Sequence, residues 1–279
     1  MISVITPVYN GEKFIESCIK VVINQNSPDV EHIISDGGST DGTVDIIQEY
    51  AQKYPHIQWI SEKDKGQSDA MNKGIAMARG EILAILNVDD YYEQNVLNRV
   101  SEIFKTLTEP SLLVGNCNVW DNEGRLIFIN KPAKLKFTEL LLGAEVNPHP
   151  VNPAAYFYHK SLHEKIGFYK VEEHFVMDLD FLLRAVQAAT VTYINETWGN
   201  YRLLEDTKTV VDMKNGQSIH RAKQLLKAYR KQLPLVMQWK IFIKSKLYRT
   251  KVWQKLKYFS SNRQELLPSF KAKVAKILN

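Results

Sequence analysis

Three stretches within the first ninety residues, SVITPVYN, HIISDGGSTDGT and EILAILNVDDYY, each run apolar residues straight into polar ones. A short β-type run that ends in turn residues and acids reads as a buried parallel strand delivering carboxylates to one edge of a sheet. The third constrains the chain most. Residues 82–86 are wholly apolar, and Asn87, Asp89 and Asp90 follow at once. Adjacent carboxylates at a strand end repel each other unless a cation lies between them. A hard divalent ion carrying a phosphorylated ligand suits that place.

The surrounding pattern alternates. Strand-like 2–6, 30–35, 57–60 and 82–86 are each followed by helical stretches at 11–23, 43–53, 68–77 and 95–104. This βαβα order predicts an α/β fold, a doubly wound, mostly parallel sheet with helices on both faces. Ligands of such sheets bind outside the carboxyl ends of the strands, here TPVYN, DGGSTDGT, EKDKG and NVDD. Residues 111–200 read as a hairpin around DNEG, a proline-rich loop at 147–157 running into a strand, a helix at 178–189 and a strand at 190–195. Beyond 213 the chain reads as helical, broken near Pro234 and Pro268.

A hydrophobic content of 44% suffices for a real core. Cys18 and Cys117 lie far apart with no CxxC spacing, and Cys18, on an amphipathic stretch with Phe14, Ile15, Ile19 and Val22, is expected to be a reduced core cysteine. The amino terminus enters a strand without a basic leader, and no apolar run approaches the ~20 residues that span a bilayer. A cytoplasmic protein is the expectation. Charge is unevenly spread: residues 1–213 hold 19 Lys and Arg against 30 acids, net −11. Residues 214–279 hold 17 against the single acid Glu265, net +16. An acidic body thus carries a strongly basic tail.

Read as residues alone, several positions could carry chemistry. Asp36 ends a strand and precedes two glycines, where backbone turns tightly and approaches a ligand. A turn aspartate, with Ser39, Thr40 or Asp41 capping the next helix, is the alternative. Asp89 and Asp90 could instead cap the helix after Tyr92. Asp178 and Asp180 stand about 200° apart on a helix, so both cannot face one site. Asp180 lies four residues before Arg184, the spacing of a surface ion pair. Asn72 and Lys73 read as opening a helix whose positive end could face phosphate oxygens. His149, between prolines, reads as structural.

The strings SVITPVYNGEKFIESCIKVVINQ, ISDGGSTDGT, DKGQSDAMNKGIAMARGE, ILNVDDYY and MDLDFLLRA, in this order, resemble a family 2 glycosyltransferase of the GT-A fold over roughly residues 1–210. The resemblance implies 1–213 as catalytic domain and 214–279 as a basic, aromatic-rich helical extension. It implies a metal-dependent inverting transfer of a sugar from a nucleotide-sugar donor to a saccharide or lipid-linked saccharide, in surface-polysaccharide assembly. Asp36 would pair with a uridine base walled by Pro7 and Tyr9, while Asp64 and Gln67 border nucleotide and sugar. Asp89, the last position of the family's DxD, would contact Mg²⁺ or Mn²⁺, with Asp90 in support. Asp178 aligns with the catalytic acid that serves as general base.

Two departures stand out. Asn87 occupies the first DxD position, giving an Asn-x-Asp-Asp motif that adds hydrogen bonds but no charge. Leu204 fills the place of a histidine in the family's Arg-x-His, leaving Arg202 or Lys208 to supply charge at the diphosphate.

Across 219–260, Lys and Arg interleave with Trp239, Phe242, Tyr248, Trp253, Tyr258 and Phe259, and Lys240, Lys244, Lys251 and Lys255 fall within roughly 60° of a helical wheel. Such a segment suits an anionic membrane surface on the inner face of the membrane; a solvated basic cap is the rival. Nucleic acid is not expected as a partner, because no recognition motif accompanies the charge. A non-catalytic glycan- or membrane-binding relative stays open. A sugar-phosphate nucleotidylyltransferase needs a glycine- and arginine-rich loop after the first strand, which TPVYNGEKF lacks.

Overall fold

The computed structural model describes residues 1–205 and 207–261. The first half follows the alternation: β1 (Ile2–Val8), α1 (Glu12–Ile23), β2 (Val30–Asp36), α2 (Thr43–Lys53), β3 (Ile57–Ser61), α3 (Gln67–Met77) and β4 (Ile82–Ile85). After these come β5 (Tyr91–Tyr92), α4 (Val96–Phe104), β6 (Ser111–Trp120), β7 (Leu126–Asn130), α5 (Phe137–Leu140), β8 (Tyr156–His159) and α6 (Leu162–Ile166). The chain then runs through α7 (Met177–Ala188), β9 (Thr190–Arg202), α8 (Lys208–Lys214), α9 (Gln217–Lys231) and α10 (Leu235–Ser261).

The strands form one sheet in the order β3-β2-β1-β4-β8-β6-β9-β5, with β7 paired to the far end of β6. The first four are parallel, and every residue of β1 and β4 is buried, as two-sided helical cover requires. Their carboxyl ends therefore open on one side. α1 buries Ile15, Cys18, Ile19 and Val22, a helical stripe against the sheet. Both cysteines are buried and unpaired.

The second half turns back. β8 is antiparallel to β4 and β6, and β9 runs parallel to β6 before its end pairs antiparallel with β5. The predicted strand at 190–195 is thus only the first half of a 13-residue strand. Its extension is decisive for the site. Tyr91 pairs with Asn200 and Tyr92 with Gly199, which brings Tyr201 and Arg202 beside Asp89 and Asp90.

The helices beyond 213 dock on the body, breaking at Pro234 as expected. Leu226 of α9 and Ile241 of α10 belong to the main core cluster with Leu140, Leu141 and Phe181. Arg230 donates from its guanidinium to the Leu141 carbonyl, and Lys244 pairs with Glu139. Pro268 lies outside the described residues. Among the described residues no helix is long and apolar enough to cross a membrane.

Candidate active site

The ends of β1 and β4 and the start of α3 surround a cleft of about 550 Å³. Of the residues expected from sequence, Pro7, Tyr9, Asp64, Gln67, Asn87 and Asp89 line it. Asp36, Asp90, Arg202 and Asp178 lie outside that lining; of these, Asp90 holds Asn87 and Arg202 holds the Asp89 carbonyl, both of which belong to it.

Asp36 is fully buried at the end of β2. Its Oδ2 accepts from the amides of Gly38 and Ser39, both at 3.0 Å, and from the Ser61 hydroxyl at 2.6 Å. The Ser39 hydroxyl donates to Oδ1. Asp36 thus organises its own turn, while Oδ1 keeps capacity for a further donor. Gly38 sits at φ +84°, and a side chain on Gly37 would strike the Asp64 carboxylate. The two glycines therefore let Asp64 close onto the Asp36 turn. Asp41 accepts from the Glu12 amide through Oδ2 and the Thr43 amide through Oδ1, so one carboxylate satisfies the first turns of both α1 and α2.

The NVDD segment carries two acids with opposite surroundings. Asp90 is fully buried and accepts from Asn87 Nδ2 at 3.0 Å, Asn152 Nδ2 at 2.7 Å and the Arg202 amide at 3.2 Å. Burial, then the neighbouring Asp89, push its carboxyl up to about 8. Asp89 lines the cleft, and its carboxylate accepts from no other residue's side chain among those described. Burial raises its pKa too, opposed by Arg202. Asn87 is fixed on both sides: it donates to Asp90 and accepts from Gln67 Nε2 at 2.9 Å. An aspartate at 87 would set a third acid against Asp90, which is a physical reason for an amide there. Among the described residues no group of three or more His, Cys, Asp or Glu could hold a metal alone.

Arg202 does not point into the cleft. Its guanidinium donates to the Asp89 carbonyl and lies 5.4 Å from the Phe14 ring centre and 5.8 Å from that of Tyr91. It clamps the backbone on which Asp89 stands. The side chain of Lys208 lies outside the described residues. Asn72 and Lys73 correct the reading made of them: α3 begins at Gln67, so both are interior. Asn72 holds the Tyr169 backbone through two hydrogen bonds, and Lys73 pairs with Glu62 at 2.8 Å. His149 is buried, its Nε2 2.8 Å from the Leu140 carbonyl oxygen.

α7 starts at Met177, held to the start of α3 by Ser68, whose hydroxyl lies 2.9 Å from Met177 Sδ. Asp178 sits in that first turn without capping it. Its one side-chain partner among the described residues is the Tyr156 hydroxyl at 3.4 Å, and burial pushes its carboxyl up to about 6. Asp180 differs completely. It is fully buried, paired with Lys170 at 2.7 Å and Arg184 at 2.8 Å, and accepts from Tyr229. Those partners hold its carboxyl below the usual range despite burial.

Sequence reasoning passed over Tyr201, Thr207 and Thr209, which also line the cleft. Burial raises the Tyr201 pKa, and the charges of Asp90, Asp89 and Asp178 raise it further. All three acids thus lie within electrostatic reach of one cleft phenol. Strand alternation next to Arg202 was the available signal. Asn152 left a weaker one, in the proline-rich loop.

Residues 3–167, more than half of the chain, match the profile of glycosyl transferase family 2. The chain belongs to glycosyl transferase family 2. Among its relatives, chondroitin synthase from Escherichia coli is 35% identical over 128 residues, 46% of this chain and 18% of that protein. The uncharacterized glycosyltransferase EpsJ of Bacillus subtilis (strain 168) is 27% identical over 236 residues, 80% of this chain and 67% of EpsJ. This family 2 member therefore spans a small part of the first relative and about two thirds of the second. Its fold is GT-A. Residues 1–349 of S. aureus TarS, solved in complex with UDP-GlcNAc, superpose with a TM-score of 0.66 at 18% identity, over 86% of this chain and 70% of TarS 1–349.

Proposed function

We propose that this chain transfers a sugar, with inversion and metal dependence, from a uridine diphosphate donor to a saccharide or lipid-linked saccharide in surface-polysaccharide assembly. Residues 1–213 form the catalytic body in this reading, and 214–279 an appendage whose Leu226 and Ile241 share its core. The observation that carries it is the open Asp89 carboxylate, set in the cleft beside the buried, fully engaged Asp90. The uridine preference draws on the UDP-GlcNAc held by TarS, and the polysaccharide role on chondroitin synthase.

Pro7 and Tyr9 wall the base, and Asp36 Oδ1 accepts the imide N–H of uracil. Asp64 and Gln67 border ribose and sugar. One protein carboxylate fits Mg²⁺ or Mn²⁺ only when phosphate oxygens and water complete the shell, which is the usual arrangement for Mg²⁺. Asp89 would hold such an ion, which supplies Lewis-acid neutralisation of the departing diphosphate. Asp178 takes the proton from the acceptor hydroxyl as it attacks the anomeric carbon. A carboxyl near pKa 6 is a better base than an ordinary aspartate and is still ionised at neutral pH. The test is donor turnover with uridine and guanosine diphosphate sugars in Mn²⁺. Turnover lost in Asp89→Ala supports the reading; no metal-dependent turnover with any donor sinks it.

A further inference from the structure

α10 has two opposed faces. Ile241 is 5% exposed and inserts into the main core cluster. Leu235, Val236, Trp239, Phe242, Ile243 and Leu247 are each at least half exposed. On a helical wheel those six occupy an arc of roughly 140°, centred opposite Ile241. The docked helix thus turns a largely apolar face outward, interrupted by Lys246. Ile241 takes the side of α10 that packs on the body, so among the described residues these six turn away from the core.

Cations flank this face, and one, Lys246, stands within it. A groove of about 530 Å³ between α9 and α10 is lined by Lys227, Lys231, Trp239, Phe242 and Lys246, among others. The Lys246 ammonium lies 5.1 Å from the Phe242 ring centre, and Phe242 packs edge-on against Trp239 at 6.0 Å. Lys227, Lys231, Lys240 and Lys246 are exposed and in no ion pair among the described residues. Long basic side chains around aromatic and aliphatic ones match the interface of a bilayer, where rings reach the acyl boundary and ammonium groups meet headgroups.

We propose that α10 and the adjoining edge of α9 dock the protein on an anionic lipid bilayer, lying in its surface with the Trp239–Phe242–Ile243 face down. Charge complementarity selects that occupant over a second copy, since apposing two tails of net +16 each is repulsive. The acidic body, net −11, is repelled by the same surface, so the molecule is oriented as well as held. The proposal does not depend on the transferase reading.

Flotation of the full chain with phosphatidylcholine vesicles, with and without phosphatidylglycerol, tests it. The wild type floats with the anionic vesicles only, and added salt weakens binding. Lys231→Gln/Lys246→Gln lowers partitioning by more than about tenfold, from about fivefold per basic residue near the surface. Trp239→Glu/Phe242→Glu lowers it by at least about tenfold, through lost apolar burial. Both pairs are solvent-exposed, so the melting temperature stays that of the wild type. Absence of wild-type flotation, or flotation unchanged in both variants, overturns the proposal. So does a dimer in light scattering that Trp239→Glu/Phe242→Glu dissolves, since that assigns the face to self-association.

Discussion

At the scale of single residues, the site separates acids by what surrounds them. Among the described residues, Asp180 has two cations and a phenol, Asp90 three hydrogen-bond donors, and Asp178 one distant hydroxyl. Asp178 has a folded pKa above its unfolded value, so its ionised form destabilises the fold, and stability from this group falls as pH rises from the ordinary aspartate range through about 6. Asp178→Asn should therefore raise stability at neutral pH by at least about 1 kcal/mol in denaturant melts. The same variant should lower kcat by about 10²–10⁴. The wild-type kcat/KM should climb with pH to a plateau above an apparent pKa near 6. A flat profile, or full activity in Asp178→Asn, removes Asp178 as base. Asn87→Asp sets a carboxylate where Asp90 now receives a donor, at a cost of roughly 2–4 kcal/mol. Mn²⁺ with uridine diphosphate should restore part of that loss in a thermal shift, and no restoration would count against metal held beside Asp89.

At the scale of elements, the strand ends were readable because buried parallel strands are apolar without interruption, so their termination in acids stands out. Helix geometry also separated Asp178 from Asp180 before any coordinates, because the Arg184 pair four residues on uses up one of them. Tyr201 and Arg202 were not readable in the same way. Their placement depends on a two-residue strand, Tyr91–Tyr92, pairing with a strand end more than a hundred residues away. No local periodicity encodes such a pairing. Asn152 likewise reaches Asp90 only through the folded proline-rich loop. Asn152→Ala removes that donor from a buried carboxyl, so we expect a loss of about 1–3 kcal/mol. Asn152→Asp should be worse, by adding a like charge. If both melt like the wild type, the Asp90 network does not hold the NVDD turn.

For the whole molecule, the charge asymmetry and the core point in different directions. The sequence division near 213 separates an acidic body from a basic tail, yet Leu226 and Ile241 from that tail pack among the body's own apolar residues. Charge is a surface property and could be counted residue by residue; shared burial could not. Ile241→Asp should destabilise the entire chain, by roughly 3 kcal/mol or more, rather than release a separate helix. A single cooperative transition shifted to lower denaturant is the expected result, and a separate early transition would mean that α10 folds independently. The central claim concerns the cleft that Asp89 lines, with Asp178, in the first turn of α7, as its base. Its most direct test is donor turnover with Mn²⁺ and a panel of nucleotide sugars, comparing wild type with Asp89→Ala and Asp178→Ala. The account predicts turnover by the wild type that chelation abolishes and that falls at least about a hundredfold in each variant. Turnover that survives both substitutions, or a wild type inert with every donor, would contradict it.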